Sequence, residues 1–140
     1  MQRRLFIKGL GLVGIGSALT LPRSASAGGS DPMMSPLAGS LFYTKDKPGR
    51  WAGKEGGHVP SIVRNGNTIE VTTGHEMNGF VHYIIKHVLL DDRLQFVREQ
   101  MFNPEKDAPV SEHDISGLHD MVYAVSLCNK HDAWLNALKL

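Results

Sequence analysis

The apolar residues of this chain follow two different patterns. From Gly9 to Leu21 they form a nearly unbroken run of 13 apolar or small residues. After Ser61 they come as short runs of alternating character, separated by turn residues. Ser61–Arg64 and Thr68–Thr73 flank Asn65-Gly66-Asn67, a hairpin signal, with Ile69 and Val71 on one face of the second run. His82 to Leu90 reads as a long strand that ends at the turn pair Asp91-Asp92. Leu94 to Phe102 sets Leu94, Phe96 and Arg98 against Gln95, Val97 and Glu99. Asn103 to Gly117, with two prolines and many acids, predicts a loop. Met121 to Leu127 is the clearest core strand, and Ala133 to Leu138 closes the sheet. Five to seven short strands in about 100 residues predict an all-β sandwich or barrel.

The first apolar run belongs to a different kind of element. It is shorter than the roughly 20 residues a membrane-spanning helix needs, and Arg3, Arg4 and Lys8 precede it. Ala25-Ser26-Ala27 then matches a small-x-small cleavage pattern. Arg3-Arg4-Leu5-Phe6-Ile7-Lys8 resembles a twin-arginine signal, which sends folded proteins to the periplasm. Residues 1–27 are therefore expected to be an export signal. Residues 28–40, rich in Gly, Ser and Pro, are expected to be a flexible leader, and residues 41–140 the folded domain.

Charge changes the picture only by exclusion. The 140 residues carry a formal charge of +1, but Arg3, Arg4, Lys8 and Arg23 lie in the signal. Without them 11 basic side chains face 14 acidic ones, a net charge near −3. No nucleic-acid surface is expected from that balance. A homo-oligomer is compatible with it.

Candidate chemistry gathers around the one cysteine. A single cysteine excludes an internal disulfide and a CxxC pair. Free cysteine is often a small buried hydrophobe. Here Cys128-Asn129-Lys130-His131 follows a core strand directly, so a tight turn can aim thiolate and imidazole at one point. That donor pair suits zinc, copper or iron. His58 precedes the first strand, His75 opens a loop and His82 starts a strand. His87, five residues past His82, is expected on the opposite strand face, and His113 and His119 in a polar loop. All three are read as non-ligands.

Gly57-His58-Val59-Pro60, His75, His82-Tyr83-Ile84 and Cys128-Asn129-Lys130-His131 occur in the order found in superoxide reductases of the desulfoferrodoxin and neelaredoxin family. The resemblance runs from about Phe42 to Trp134. It implies an immunoglobulin-like antiparallel β-sandwich that holds one iron, with four imidazoles in a plane and an axial thiolate. Carried over, the ligands would be His58, His75, His82, His131 and Cys128. The implied activity is one-electron reduction of superoxide to hydrogen peroxide. An external electron donor, such as a rubredoxin-like protein or a cytochrome, would restore ferrous iron. With one cysteine in the chain, the four-cysteine desulforedoxin-like domain of some relatives is not expected.

Two departures from the family pattern stand out. Family members usually carry a Glu-Lys pair directly before the first histidine, where this chain has Gly56-Gly57. Lys54-Glu55, reversed and two residues upstream, is the candidate catalytic pair, with the glycines as a hinge. The His75–His82 spacing is also one residue longer, which an insertion including Gly79 would absorb. A cupredoxin-like electron carrier is the main alternative, but no methionine follows His131 as its axial ligand and further histidines would go unused. A non-catalytic metal-binding redox module is the other.

Overall fold

The computed structural model describes residues 31–140; the expected signal at 1–27 and the start of the leader lie outside the described residues. Seven strands follow in chain order: β1 (Ser61–Asn65), β2 (Thr68–Thr72), β3 (Ile84–Leu90), β4 (Phe96–Met101), β5 (Val110–Asp114), β6 (Met121–Cys128) and β7 (Asp132–Lys139). They form two antiparallel sheets, one ordered β1-β2-β5 and the other β4-β3-β6-β7. This is the expected immunoglobulin-like sandwich.

The β1–β2 hairpin pairs Asn65 with Thr68, leaving Gly66-Asn67 as a two-residue turn. Gly66 has φ +63°, which glycine adopts at no steric cost and a tight hairpin requires. Alternation then turns Ile69 and Val71 inward. They meet Leu89 of β3, Val122 and Ala124 of β6 and Ile115 in one apolar cluster between the sheets. A second cluster, Ile84, Phe102 and Cys128 with Met77 against it, lies toward the end of β6.

The structure corrects two expectations. The stretch Asn103–Gly117 is not all loop, since it contains β5. Its inward residues are Ser111 and His113, so a polar strand carries no apolar alternation to betray it. His113, expected in a polar loop, is buried there. Strand β3 also departs from simple alternation. Ile84 and His87 are both fully buried, although an odd spacing should separate them onto opposite faces. The β3–β6 register slips between Ile84 and Lys86, and this bulge accounts for it.

Residues 31–40, within the expected leader, make defined turns. Asp31 accepts a hydrogen bond from the Met33 amide and opens a 3-10 turn over Pro32–Met34. Beyond it, Tyr43 joins the sheet: its amide donates to the Ala133 carbonyl, and Leu135 donates back to Tyr43.

Candidate metal centre

Five side chains far apart in sequence converge at one end of the sandwich. Ligand atoms of His58, His75, His82, Cys128 and His131 all lie within 4.8 Å of one another. Each arrives by its own route. His58 closes α1 (Glu55–His58), a single helical turn, and His75 lies just beyond β2. His82 follows a 3-10 turn over Gly79–Val81 and precedes β3. Cys128 ends β6, and His131 sits in the turn to β7.

The helical turn at Glu55–His58 is unexpected, because two glycines disfavour it by about 1 kcal/mol each. Tertiary contacts offset this. His58 Nδ1 lies 2.8 Å from the Lys54 carbonyl oxygen, one turn back, and the Val59 amide donates to Glu55. Gly74 comes close to the same turn: a Cβ there would stand 3.4 Å from the Gly56 carbonyl oxygen. The turn thereby packs against the segment that delivers His75.

The nitrogens are arranged for a cation. His75 Nε2 is 3.0 Å from His82 Nε2, which is 3.1 Å from His131 Nδ1, which is 3.0 Å from His58 Nε2. Carbonyl acceptors set the tautomers, since His58 Nδ1–H donates to Lys54 and His75 Nδ1–H to Glu76. The Nε2 atoms of both rings are then bare lone pairs. His82 Nε2 and His131 Nδ1 can offer at most one proton each, so the three contacts cannot all be satisfied hydrogen bonds unless a cation lies among them. Each neighbouring pair in this chain of four nitrogens is thus close enough for both to bind a single ion. Cys128 Sγ lies 3.7 Å from His131 Nδ1 and 4.0 Å from His75 Nε2, within the same group. The donor set fits a metal ion.

The surroundings favour neutral imidazoles. Burial pushes His58 down to about 4, and burial with neighbouring histidines lowers His82 and His131. Neutral nitrogen is the form that binds metal. His131 is framed by the edge-on Trp51 ring at 4.6 Å between centroids, and Trp134 Nε1 donates to its carbonyl. Asp132 accepts from Trp51 Nε1 and Arg50, fixing that aromatic wall. His75, His82 and His131 stay partly exposed, while His58 and Cys128 are buried. The cluster therefore opens on one side.

Of the candidate catalytic pair, Lys54 caps α1 with its ammonium exposed, and its charge lowers His82 and His131. Glu55 begins the turn. The glycines are wound into helix and do not form an open hinge. His87 and His113 lie deeper, apart from the cluster. His87 is bonded to Thr73 and Ser111, and His113 to Ser111.

A β-sandwich closed at one end by four imidazoles and a thiol defines a mononuclear metal protein of the kind the sequence resembles. Comparison with known proteins agrees. Desulfoferrodoxin from Clostridium acetobutylicum is 30% identical over 111 residues, covering 76% of this chain and 74% of that protein. The superoxide reductase (neelaredoxin) from Ignicoccus hospitalis superposes with a TM-score of 0.59 at 22% identity, over 73% of this chain and 95% of that one. The superoxide reductase (1Fe-SOR) from Giardia intestinalis gives 0.53 at 23% identity, over 61% and 100%. No family model matches the chain. The chain belongs to the desulfoferrodoxin family.

Proposed function

We propose that this protein is a superoxide reductase whose mononuclear iron is held by His58, His75, His82, His131 and Cys128. The carrying observation is the convergence of four imidazole nitrogens, 3.0 to 3.1 Å from one to the next, beside the Cys128 sulfur. Iron held there would supply the one electron that, with two protons, turns superoxide into hydrogen peroxide. The chain's own residues do the rest. Carbonyls of Lys54 and Glu76 hold two rings in the metal-binding tautomer. The Lys130 amide points at Cys128 Sγ from 3.5 Å and stabilises negative charge on the sulfur. The open side admits a small anion, and exposed Lys54 attracts it.

An external one-electron donor, a rubredoxin-like protein or a cytochrome, would restore the ferrous state. Export by the twin-arginine route to the periplasm is part of the same reading, resting on Arg3-Arg4 and Ala25-Ser26-Ala27. A cupredoxin-type copper carrier would use two imidazoles and a thiolate, whereas four imidazoles converge here.

Protein purified from its native source should contain one iron and, when oxidised, show a visible thiolate-to-iron charge-transfer band. It should consume superoxide stoichiometrically with an added reductant. Cys128→Ser should abolish the band. Stoichiometric copper or zinc without iron overturns the assignment, and iron without superoxide consumption leaves a non-catalytic redox module.

A further inference from the structure

The strand ladder that holds the centre together stops one step short of His82. In the β3–β6 pairing the final match is Ile84 with Cys128. His82 lies beyond it, at the end of a loop that begins at Gly74 and carries a residue more than the family spacing. Local closure is weak there. Asn78 and His82 exchange backbone hydrogen bonds of 3.0 and 3.3 Å around Gly79–Val81, which ties the loop to itself but not to the sandwich.

The missing rung comes from Asn129. Its backbone amide donates to the Tyr83 carbonyl at 3.2 Å. Its side-chain Oδ1 accepts from the Tyr83 amide at 3.0 Å, and Nδ2 donates to the Val81 carbonyl at 3.1 Å. One primary amide thus copies a peptide group, with an acceptor and a donor on either side of His82. Asn129 itself follows the Cys128 ligand directly. We infer that Asn129 is a positioning residue that clasps the Val81–Tyr83 segment to the Cys128 turn and so holds the His82 imidazole at the metal.

This inference rests on the iron-centre reading above and concerns a residue that touches neither metal nor substrate. Three features make the side chain suited to the task. Asparagine alone among small residues offers donor and acceptor from one planar group. Both bonds run to backbone atoms, so they fix the chain on either side of His82 and not merely a neighbouring ring. The exposed Phe80 and Val81 give the segment little apolar burial of its own, at 62% and 66% exposure. Hydrogen bonds must therefore anchor what packing does not.

The test is an anaerobic Fe(II) titration of the metal-free chain against a competing chelator. It compares the native sequence, Asn129→Ala, His82→Ala and the double variant, with the oxidised visible band as a second readout. Partners that orient ligands typically govern metal affinity by factors of ten or more. Asn129→Ala should weaken iron binding about tenfold and shift the band. Because the clasp acts through His82, adding Asn129→Ala to His82→Ala should cost little further, a signature of coupling. Asn78→Ala, in the same loop and bonded through its backbone only, should bind iron normally.

An Asn129→Ala titration that matches the native one overturns the inference, as does an equal loss in the His82→Ala background. If Asn129→Ala does not fold, Asn129→Asp carries the same comparison. It keeps the acceptor for the Tyr83 amide and loses the donor to Val81. Failure of the iron-centre reading would look different, because the native sequence itself would then bind no iron and show no band.

Discussion

The carbonyl of Lys54 accepts the Nδ1–H of His58, while its exposed side chain carries a charge that lowers His82 and His131. Removing the side chain therefore leaves the ligand's tautomer intact and tests attraction alone. Superoxide is a monoanion, so a cation at the open side raises its encounter rate, and salt screens the effect. Lys54→Ala should slow the second-order reaction with superoxide by about tenfold or less at low salt. The loss should shrink as ionic strength rises, with iron content and visible band unchanged. An unchanged rate at low salt would assign the attraction to another cation, with Lys130 beside the Cys128–His131 turn the next to test. The five converging residues were legible at this scale, because each motif is short and carries its own chemistry. The clasp of Asn129 was not: the motif shows an asparagine, but its partners at Val81 and Tyr83 appear only once the turn is folded.

Between the two apolar clusters lies a polar band contributed by three strands and the end of β2. His87 of β3 bonds Thr73 through Nε2 and Ser111 of β5 through Nδ1, each at 2.8 Å. Thr73 donates to Ser126 of β6, and Ser111 continues to His113. With Thr73 donating to Ser126, His87 Nε2–H must be the donor to Thr73, leaving Nδ1 to accept from Ser111. With His87 neutral every contact of the band is made. Burial, with His113 nearby, lowers His87 to about 4, against 6.5 for an exposed imidazole. In acid the unfolded chain then binds the proton that the folded one refuses. The stabilisation is full above pH 6.5 and is lost as pH falls toward 4. By pH 4.5 it should amount to a loss on the order of 2 kcal/mol. Urea unfolding from pH 7.5 to 4.5 should show a steeper acid decline for the native sequence than for His87→Gln in the same metal state. Equal declines would mean that His87 accepts a proton in the folded protein. The same band explains why β5 was hidden in the sequence. A strand whose inward side chains are serine and histidine has no apolar period, and only the partners supplied by β3 and β2 make those positions interior. The bulge in β3 was hidden for a related reason, since a one-residue slip leaves no mark on composition and shows only when two strands are paired.

Across the whole molecule, the metal centre draws on residues from His58 to His131. No shorter segment contains it. His58 and His75 sit at the ends of β1 and β2 in one sheet, while His82, Cys128 and His131 border β3, β6 and β7 in the other. The donor set therefore exists only after both sheets have formed and docked. A protein of this design that crossed a membrane unfolded would have to acquire its iron afterwards, in competition with other metals. Passage in the folded state lets the site be filled first. The Arg3-Arg4 pair ahead of a 13-residue apolar run suits that route. Replacing the pair with Arg3→Lys and Arg4→Lys keeps the charge and removes the guanidinium groups. If the folded route is used, cell fractionation should find the variant precursor held in the cytoplasm, with its signal intact. It should also hold iron and show the visible band there, because the domain folds without being exported. Undiminished export of the variant would point to the general secretory route, with the centre assembled only after translocation.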